Sequence, residues 1–212
     1  TTFNVLATAL LLPFTRGLEK LACITIKDGE DSKVSEDKIT GIDERFLASP
    51  GYAVDQCSEA TKQMAELSKE TILTSIRLLT EFDDKVGASI MVNEDKVDKY
   101  EDMLGTYLVK LSTKNLSITD SNSVSMYLHS IGDLERISDH AVNLLDLANE
   151  IHQKSINFSK EAQDGLDVMT SAVTDILNMT IKAFVTDDLE LAKRIEPLEE
   201  VIDHLRKELK DR

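Results

Sequence analysis

The stretch SPGYAVDQCSEATKQMAELSKETILTSIRLLTEF, residues 49–82, predicts a long amphipathic helix and with it the fold class. Pro50 suits the first helical position, because its missing N–H would have no partner there, and Ser49 suits the N-cap. Apolar and small residues then recur every three or four positions, which places them on one helix face. We expect this helix to end near Phe82. The face consists of Val54, Cys57, Ala60, Met64, Leu67, Ile72, Ile76 and Leu79.

Four further helical patterns follow. Apolar periodicity predicts helices over 84–111 and 120–151, and a fourth helix from Ser159 to about Val185. Asp187 and Glu190 form a capping-box pattern that predicts a fifth helix, which Pro197 should kink or restart. The turns between the helices are short and polar, so neighbouring helices should pack antiparallel. The sequence therefore predicts an all-α bundle of long helices.

The composition supports this fold class and excludes several functions. Only 8 Gly, 3 Pro and 5% aromatic residues are too few for a turn-rich β-fold. The formal net charge of −15 repels nucleic-acid phosphates, so no nucleic-acid partner is expected. The chain has no Gly-x-Ser-x-Gly, Walker loop, Gly-x-Gly-x-x-Gly or paired Glu-x-x-His pattern, so we expect no enzyme. Cys23 and Cys57 match no metal or redox spacing and are predicted to be reduced thiols.

The chain divides into four predicted segments. Residues 1–26 open with an uncharged apolar stretch, Thr1 to Phe14, which fits either a helix packed on a core or the end of a transmembrane helix. Residues 27–48 are rich in Asp, Glu, Lys and Ser and predict a polar linker. Residues 49–155 should form a three-helix unit, and residues 156–212 an incomplete second unit.

An internal repeat relates the last two segments. The chain matches itself without a gap at an offset of 105 residues, which predicts three helices followed by the first two helices of a second copy. The third helix of that copy would fall near positions 225–255, so we expect the chain to be a fragment. The aligned pairs are Met64 with Met169, Ile76 with Ile181, Asp83 with Asp188, Ile90 with Ile195, Glu94 with Glu199, Val97 with Ile202, and Asp98 with Asp203.

Carboxylate pairs four residues apart recur on three of the predicted helices. Both members of a pair lie on one helix face about 6 Å apart, close enough to share or bridge hard cations. In a chain with 39 acidic residues, one such pair is more often a solvated helix flank, but recurrence at the repeat offset makes the two interpretations about equal. The pairs are Glu94 with Asp98, extended by Glu101, then Glu135 with Asp139, and Glu199 with Asp203.

The segment DLERISDHAVN, residues 133–143, resembles the metal-binding signature of PhoU-like proteins, with Ser138 where that family commonly has Gly. Residues 94–101 resemble the companion motif on the preceding helix, and residues 199–203 its second-repeat copy. The resemblance covers about residues 50–212. It implies tandem three-helix repeats that regulate phosphate transport and bind metal ions, iron or zinc. The implied metal ligands are Glu94, Asp98, Glu101, Glu135, Asp139, Glu199 and Asp203.

Residues 2–14 and 42–50 resemble the junction between the last membrane helix and the cytoplasmic PhoU-like domain of bacterial sodium/phosphate symporters. This resemblance implies a domain at the cytoplasmic face of the cell membrane, with the transport domain of the same polypeptide as its partner. Phosphate would bind through the metal ions, because carboxylates alone repel it. Two alternatives stay open: a metal-free scaffold whose acidic pairs keep it soluble, and a homodimer in which a second chain supplies the missing helix.

Overall fold

The computed structural model describes residues 42–210, so the predicted segment 1–26 and residues 27–41 of the predicted linker lie outside the described residues. The all-α prediction is confirmed, and the described chain contains no strand. A short 3-10 helix, Glu44–Ala48, precedes six α-helices. These are α1 (Pro50–Leu78), α2 (Asp84–Ser112), α3 (Ile118–Gln153), α4 (Lys160–Thr186), α5 (Leu189–Ala192) and α6 (Ile195–Lys210).

Helices α1, α2 and α3 form an antiparallel three-helix bundle. At one end, Ala53 at the start of α1 shares a buried cluster with Leu108 near the end of α2 and Val124 at the start of α3. At the other end, Leu78 of α1 clusters with Ile90 of α2 and the C-terminal half of α3. Each helix therefore runs against its neighbour in sequence, as short connections require.

The bundle interior combines large apolar residues with small hydroxyl residues on α1. Met64 is completely buried at the centre. Thr61 Oγ1 donates to the carbonyl oxygen of Cys57 at 2.7 Å, and Ser68 Oγ donates to that of Met64 at 2.9 Å. These polar groups are thus satisfied within their own helix, which allows the helices to pack closely. Cys57 is a free buried thiol, and burial raises its pKa to about 12, so it is a packing residue and an inert one.

The last part of the predicted linker is ordered on the bundle, contrary to the prediction of a polar linker up to residue 48. Asp43 caps the 3-10 helix, since its Oδ1 accepts the Arg45 N–H at 2.8 Å. The Phe46 and Tyr52 rings meet edge-on, with centroids 4.8 Å apart. Tyr107 of α2 donates its hydroxyl to the Asp43 carbonyl at 3.1 Å. The apolar residues of this segment explain why it packs rather than extends into solvent.

Two predicted helix limits are wrong. Helix α1 ends at Leu78, because Asp83 caps α2 and residues 79–82 must form the turn between them. The cap of α5 is Asp188, whose Oδ1 accepts the Leu191 N–H at 2.9 Å, whereas Asp187 takes a left-handed conformation that ends α4. Pro197 lies in the first turn of α6, where its missing N–H breaks no helical hydrogen bond.

Helix α4 packs against α1, and α6 folds back on α4. Ile181 of α4 is buried, and Phe184 and Leu177 pack on the two core clusters. By length and composition alone α4 is apolar enough to cross a membrane, although the core helix of a soluble protein meets the same criterion. Helices α4–α6 thus extend the bundle on the outer side of α1.

Candidate metal centre

An acidic cluster lies in the seam between α2 and α3. Glu94 and Asp98 of α2 and Asp139 of α3 each offer one carboxylate oxygen, and these oxygens lie within 4.8 Å of one another. Glu94 is half-buried and the two aspartates are exposed. Val97 and Ser138, which precede Asp98 and Asp139 in sequence, are completely buried between the helices. Their burial fixes the direction in which the two aspartate side chains point.

The spacing of the three oxygens fits a bound cation. Carboxylate oxygens coordinate divalent cations at about 2.0–2.6 Å, so two ligands of one ion are at most about 4–5 Å apart. The oxygens of Glu94, Asp98 and Asp139 already meet this limit. Small rotamer changes would complete a site in which two adjacent helices share one ion.

Glu135 and Glu101 continue the cluster along the same seam. Glu135 lies one turn before Asp139. Burial is the largest cause that raises the pKa of Glu135, and the charge of Asp139 and a hydrogen bond with Asp139 come next. The charges of Asp98 and Glu101 raise this pKa further. A shallow groove of about 320 Å³ is lined by Asp98, Glu101, Asp102 and Glu135. The structure thus brings the five predicted first-repeat residues to one acidic seam.

Among residues 42–210, no Lys or Arg forms an ion pair with Glu94, Asp98, Glu101, Glu135 or Asp139 of the seam. Burial raises the pKa of Glu94, and so do the charges of Asp98, Asp139 and Asp95. Burial also raises the pKa of Asp98, and the negative charges of Asp139, Asp95 and Asp102 raise it further. A bound cation would therefore relieve repulsion that the folded chain otherwise keeps.

Sequence reasoning missed two acidic residues near the site. Asp102 lines the groove, and its position four residues after Asp98 was a usable signal. Asp95 raises the pKa of Glu94 and Asp98, but its Oδ2 pairs with Lys99 Nζ at 3.0 Å, so it is the less available ligand.

The second-repeat pair is arranged differently. Among residues 42–210, Glu199 and Asp203 of α6 meet no further carboxylate, His or Cys with which they could form a set of three. Asp203 Oδ1 instead pairs with Arg206 Nη2 at 3.0 Å. Arg206 occupies the position that aligns with Glu101 at the offset of 105 residues, so an arginine replaces a predicted ligand type. The structure therefore does not assemble the predicted second cluster from α6 alone.

A groove of about 1020 Å³ lies along α1 and α4 and shares no residue with the acidic seam. Its basic residues already have partners. Lys62 pairs with Asp187 at 3.2 Å, Lys69 pairs with Glu66, and Arg77 donates to Thr74. Lys62 and Lys69 thus form ion pairs within the chain, so size alone does not make this groove an anion site.

Comparison with known proteins identifies relatives of this chain. The family model described as the PhoU domain matches residues 61–148 and 166–212. The chain is 22% identical over 151 residues to the phosphate-specific transport system accessory protein PhoU homolog 1 of Thermotoga maritima. The match covers 70% of this chain and 63% of the relative, so the chain spans less than two thirds of that relative's length. No solved structure matches.

Proposed function

We propose, because this chain belongs to the PhoU domain family, that it is a regulatory domain that couples phosphate availability to phosphate transport through bound metal ions. The name of the Thermotoga relative, an accessory protein of a phosphate transport system, supports the process.

One observation carries the metal part of the proposal. Glu94, Asp98 and Asp139, far apart in sequence, present their oxygens within 4.8 Å of one another from two helices. Glu101 and Glu135 supply further oxygens from the same seam. An all-oxygen donor set suits hard cations, so of the two expected metals iron fits better than zinc, whose protein sites mostly use Cys and His.

A bound ion would also allow so acidic a chain to bind phosphate. With a net charge of −15, the chain repels an anion unless a cation neutralises the carboxylates. The seam is exposed on one side, so an ion there would keep coordination positions open toward solvent. Phosphate oxygens would take these positions.

We further propose that the domain belongs to a sodium/phosphate symporter and works at the cytoplasmic face of the membrane. The resemblance of residues 42–50 to that family's junction supports this placement. Asp43 and Phe46 hold the end of this segment against α1 and α2. The transport domain of the same polypeptide would be the partner.

Metal content of purified protein tests the proposal. Tag-free protein is incubated with iron, zinc or manganese, desalted and analysed by inductively coupled plasma mass spectrometry. The variant Glu94→Gln/Asp139→Asn should lose at least one ion per chain. The control Glu66→Gln/Glu70→Gln removes two exposed carboxylates of α1, four residues apart and outside the seam, and should keep the wild-type content. Equal content in all three proteins would refute the site.

Phosphate binding is the second stage of the same test. Isothermal titration of metal-loaded wild type with inorganic phosphate should release or absorb heat, whereas chelator-treated protein and the Glu94→Gln/Asp139→Asn variant should not. Metal-free wild-type protein that also fails to take up metal would instead favour the scaffold interpretation.

A further inference from the structure

The docked segment, residues 42–48, lies against α2 next to the acidic seam. Tyr107 of α2 donates its hydroxyl to the Asp43 carbonyl at 3.1 Å, and Lys110 forms an ion pair with Glu44. Glu44, Tyr107 and Lys110 also line a groove of about 410 Å³ between the docked segment and α2. The side chain of Glu44 is 72% exposed and that of Lys110 is 47% exposed. An ion pair this exposed is weak, so charges nearby can strengthen or weaken it.

The groove beside the docked segment continues into the groove of the acidic seam. Asp102 is the residue that the two grooves share. On one side it lines the seam groove with Asp98, Glu101 and Glu135. On the other side it lines the groove that Glu44 also lines. Glu44 and Asp102 carry the same charge and therefore repel each other.

Electrostatic interactions extend along this continuous surface. Burial raises the pKa of Asp98, and the charge of Asp102 is among those that raise it further. Burial likewise raises the pKa of Tyr107, and the charge of Glu44 is among the further causes. Asp102 and Lys110 are eight residues apart on α2, which is about 12 Å along the helix axis. The Debye length is about 10 Å at 0.1 M salt and longer below it, so the charge of the seam reaches Glu44 at low ionic strength.

We propose that the negative charge of the acidic seam controls how firmly the docked segment binds α2, with Glu44 as the residue that responds. While the seam is fully charged, its repulsion of Glu44 opposes the ion pair with Lys110 and weakens docking. Neutralising the seam removes this repulsion, and the segment docks more firmly. The role of this coupling in the cell rests on the proposed function, because a metal ion in the seam would neutralise the same carboxylates. By linkage, firm docking would strengthen metal binding by the same factor.

Amide hydrogen exchange of the full chain tests the proposal without metal. The N–H groups of Phe46 and Ser49 are hydrogen-bonded within the short 3-10 helix and its cap, so their exchange reports local opening of the docked segment. With chelator and about 20 mM salt, these amides should exchange about two- to threefold more slowly in Asp98→Asn/Glu135→Gln than in wild type. In a Glu44→Gln background the same seam substitutions should have no effect, because the responding charge is gone.

Two further samples complete the experiment. Asp146→Asn removes an exposed carboxylate of α3 that lines neither groove, and it should leave the exchange of Phe46 and Ser49 unchanged. Wild type loaded with zinc, with its metal content measured on the same sample, should show the slowing of the seam variant. If the seam variant slows exchange but wild type takes up no ion, the proposed metal function fails and the coupling stands.

Three results would overturn the coupling itself. The first is unchanged exchange of the docked segment in the seam variant, whether or not wild type binds metal. The second is equal slowing in the Glu44→Gln background, which would show that the seam substitutions stabilise the whole bundle rather than this segment. The third is a bound zinc ion that leaves the exchange of the segment at the metal-free rate.

Discussion

Ser138 has a completely buried hydroxyl oxygen without a hydrogen-bond partner among the described residues, one position before Asp139. We expect Ser138→Ala to raise the free energy of unfolding by about 1 kcal/mol, because it removes an unsatisfied polar atom and leaves little space. Urea denaturation with circular dichroism would measure this. In the control Ser68→Ala, a hydroxyl that bonds Met64 is lost, so stability should fall by about 1 kcal/mol. A destabilised Ser138→Ala would show that this hydroxyl is satisfied in solution.

The raised pKa of Glu135 makes the stability of the metal-free protein depend on pH. Between the ordinary carboxyl range and the raised folded value, the folded state binds more protons than the unfolded state, so stability is lost as pH rises through that window. Chelator-treated protein should therefore melt higher near pH 5 than near pH 7. Thermal melts of Glu135→Gln should show a smaller gain on acidification, since one contributing carboxyl is gone.

The control for this pH dependence is Glu66→Gln, an exposed carboxyl far from the seam, which should keep the wild-type gain. The same control also accounts for the loss of negative net charge that any chain this acidic undergoes at low pH. If Glu135→Gln and Glu66→Gln have the same pH profile, Glu135 does not contribute to the repulsion in the seam.

Individual site residues were predictable from spacing because helix geometry fixes which residues share a face. Glu94 with Asp98, and Glu135 with Asp139, were identified in this way, and the structure shows that Asp139 of α3 lies beside the α2 pair. Which carboxylates come within ligand distance was not predictable, because that depends on how α2 and α3 are rotated against each other. The role of Ser138 as a buried unpaired hydroxyl follows from the same packing.

At the scale of the elements, the C-terminus of α3 lacks the glycine that such ends prefer. Ser155 has a φ of 50° there, and the Ile156 N–H donates to the Ile151 carbonyl at 3.0 Å, which is a Schellman arrangement. Ser155→Gly should raise the free energy of unfolding by about 1 kcal/mol, because glycine adopts this conformation without steric strain. Chemical denaturation would detect the change.

The same substitution inside α3 provides the control for Ser155→Gly. Ser130→Gly lies in regular helix and removes a hydroxyl that bonds the Met126 carbonyl, so it should lower stability by about 0.5 kcal/mol. If both variants are destabilised, the left-handed conformation of Ser155 is not strained.

The helices were predicted to within a few residues because their apolar period is long and regular. Errors occurred where two candidate caps compete, as with Asp187 and Asp188, since either residue type can end one helix or begin the next. The 3-10 helix was missed because its few apolar residues are surrounded by charged ones, and tertiary contacts, including those with Tyr52 and Tyr107, order it.

At the scale of the whole molecule, the net charge of −15 should make stability depend on salt. Raising sodium chloride from about 20 to 200 mM should increase the melting temperature of the metal-free chain by about 2–4 °C, because screening weakens repulsion between carboxylates. The Glu94→Gln/Asp139→Asn variant should gain less. A melting temperature that falls with added salt would show that attractive ion pairs outweigh repulsion.

The internal repeat was visible in the sequence, yet it did not make the two halves equivalent. Arg206 stands where Glu101 stands in the first repeat, and it forms an ion pair with Asp203. A repeat therefore predicts the backbone arrangement better than the chemistry of its faces.

Glu94 and Asp139 are about 45 residues apart in sequence, yet one ion would hold both. Such an ion would cross-link the chain and close a long loop. The described residues contain no disulfide that could do the same. Unlike a covalent link, this cross-link would form and break as the concentration of free metal changes. Removing the ion would loosen the hairpin of α2 and α3 before the rest of the bundle. The rate of amide hydrogen exchange should therefore increase first in these two helices.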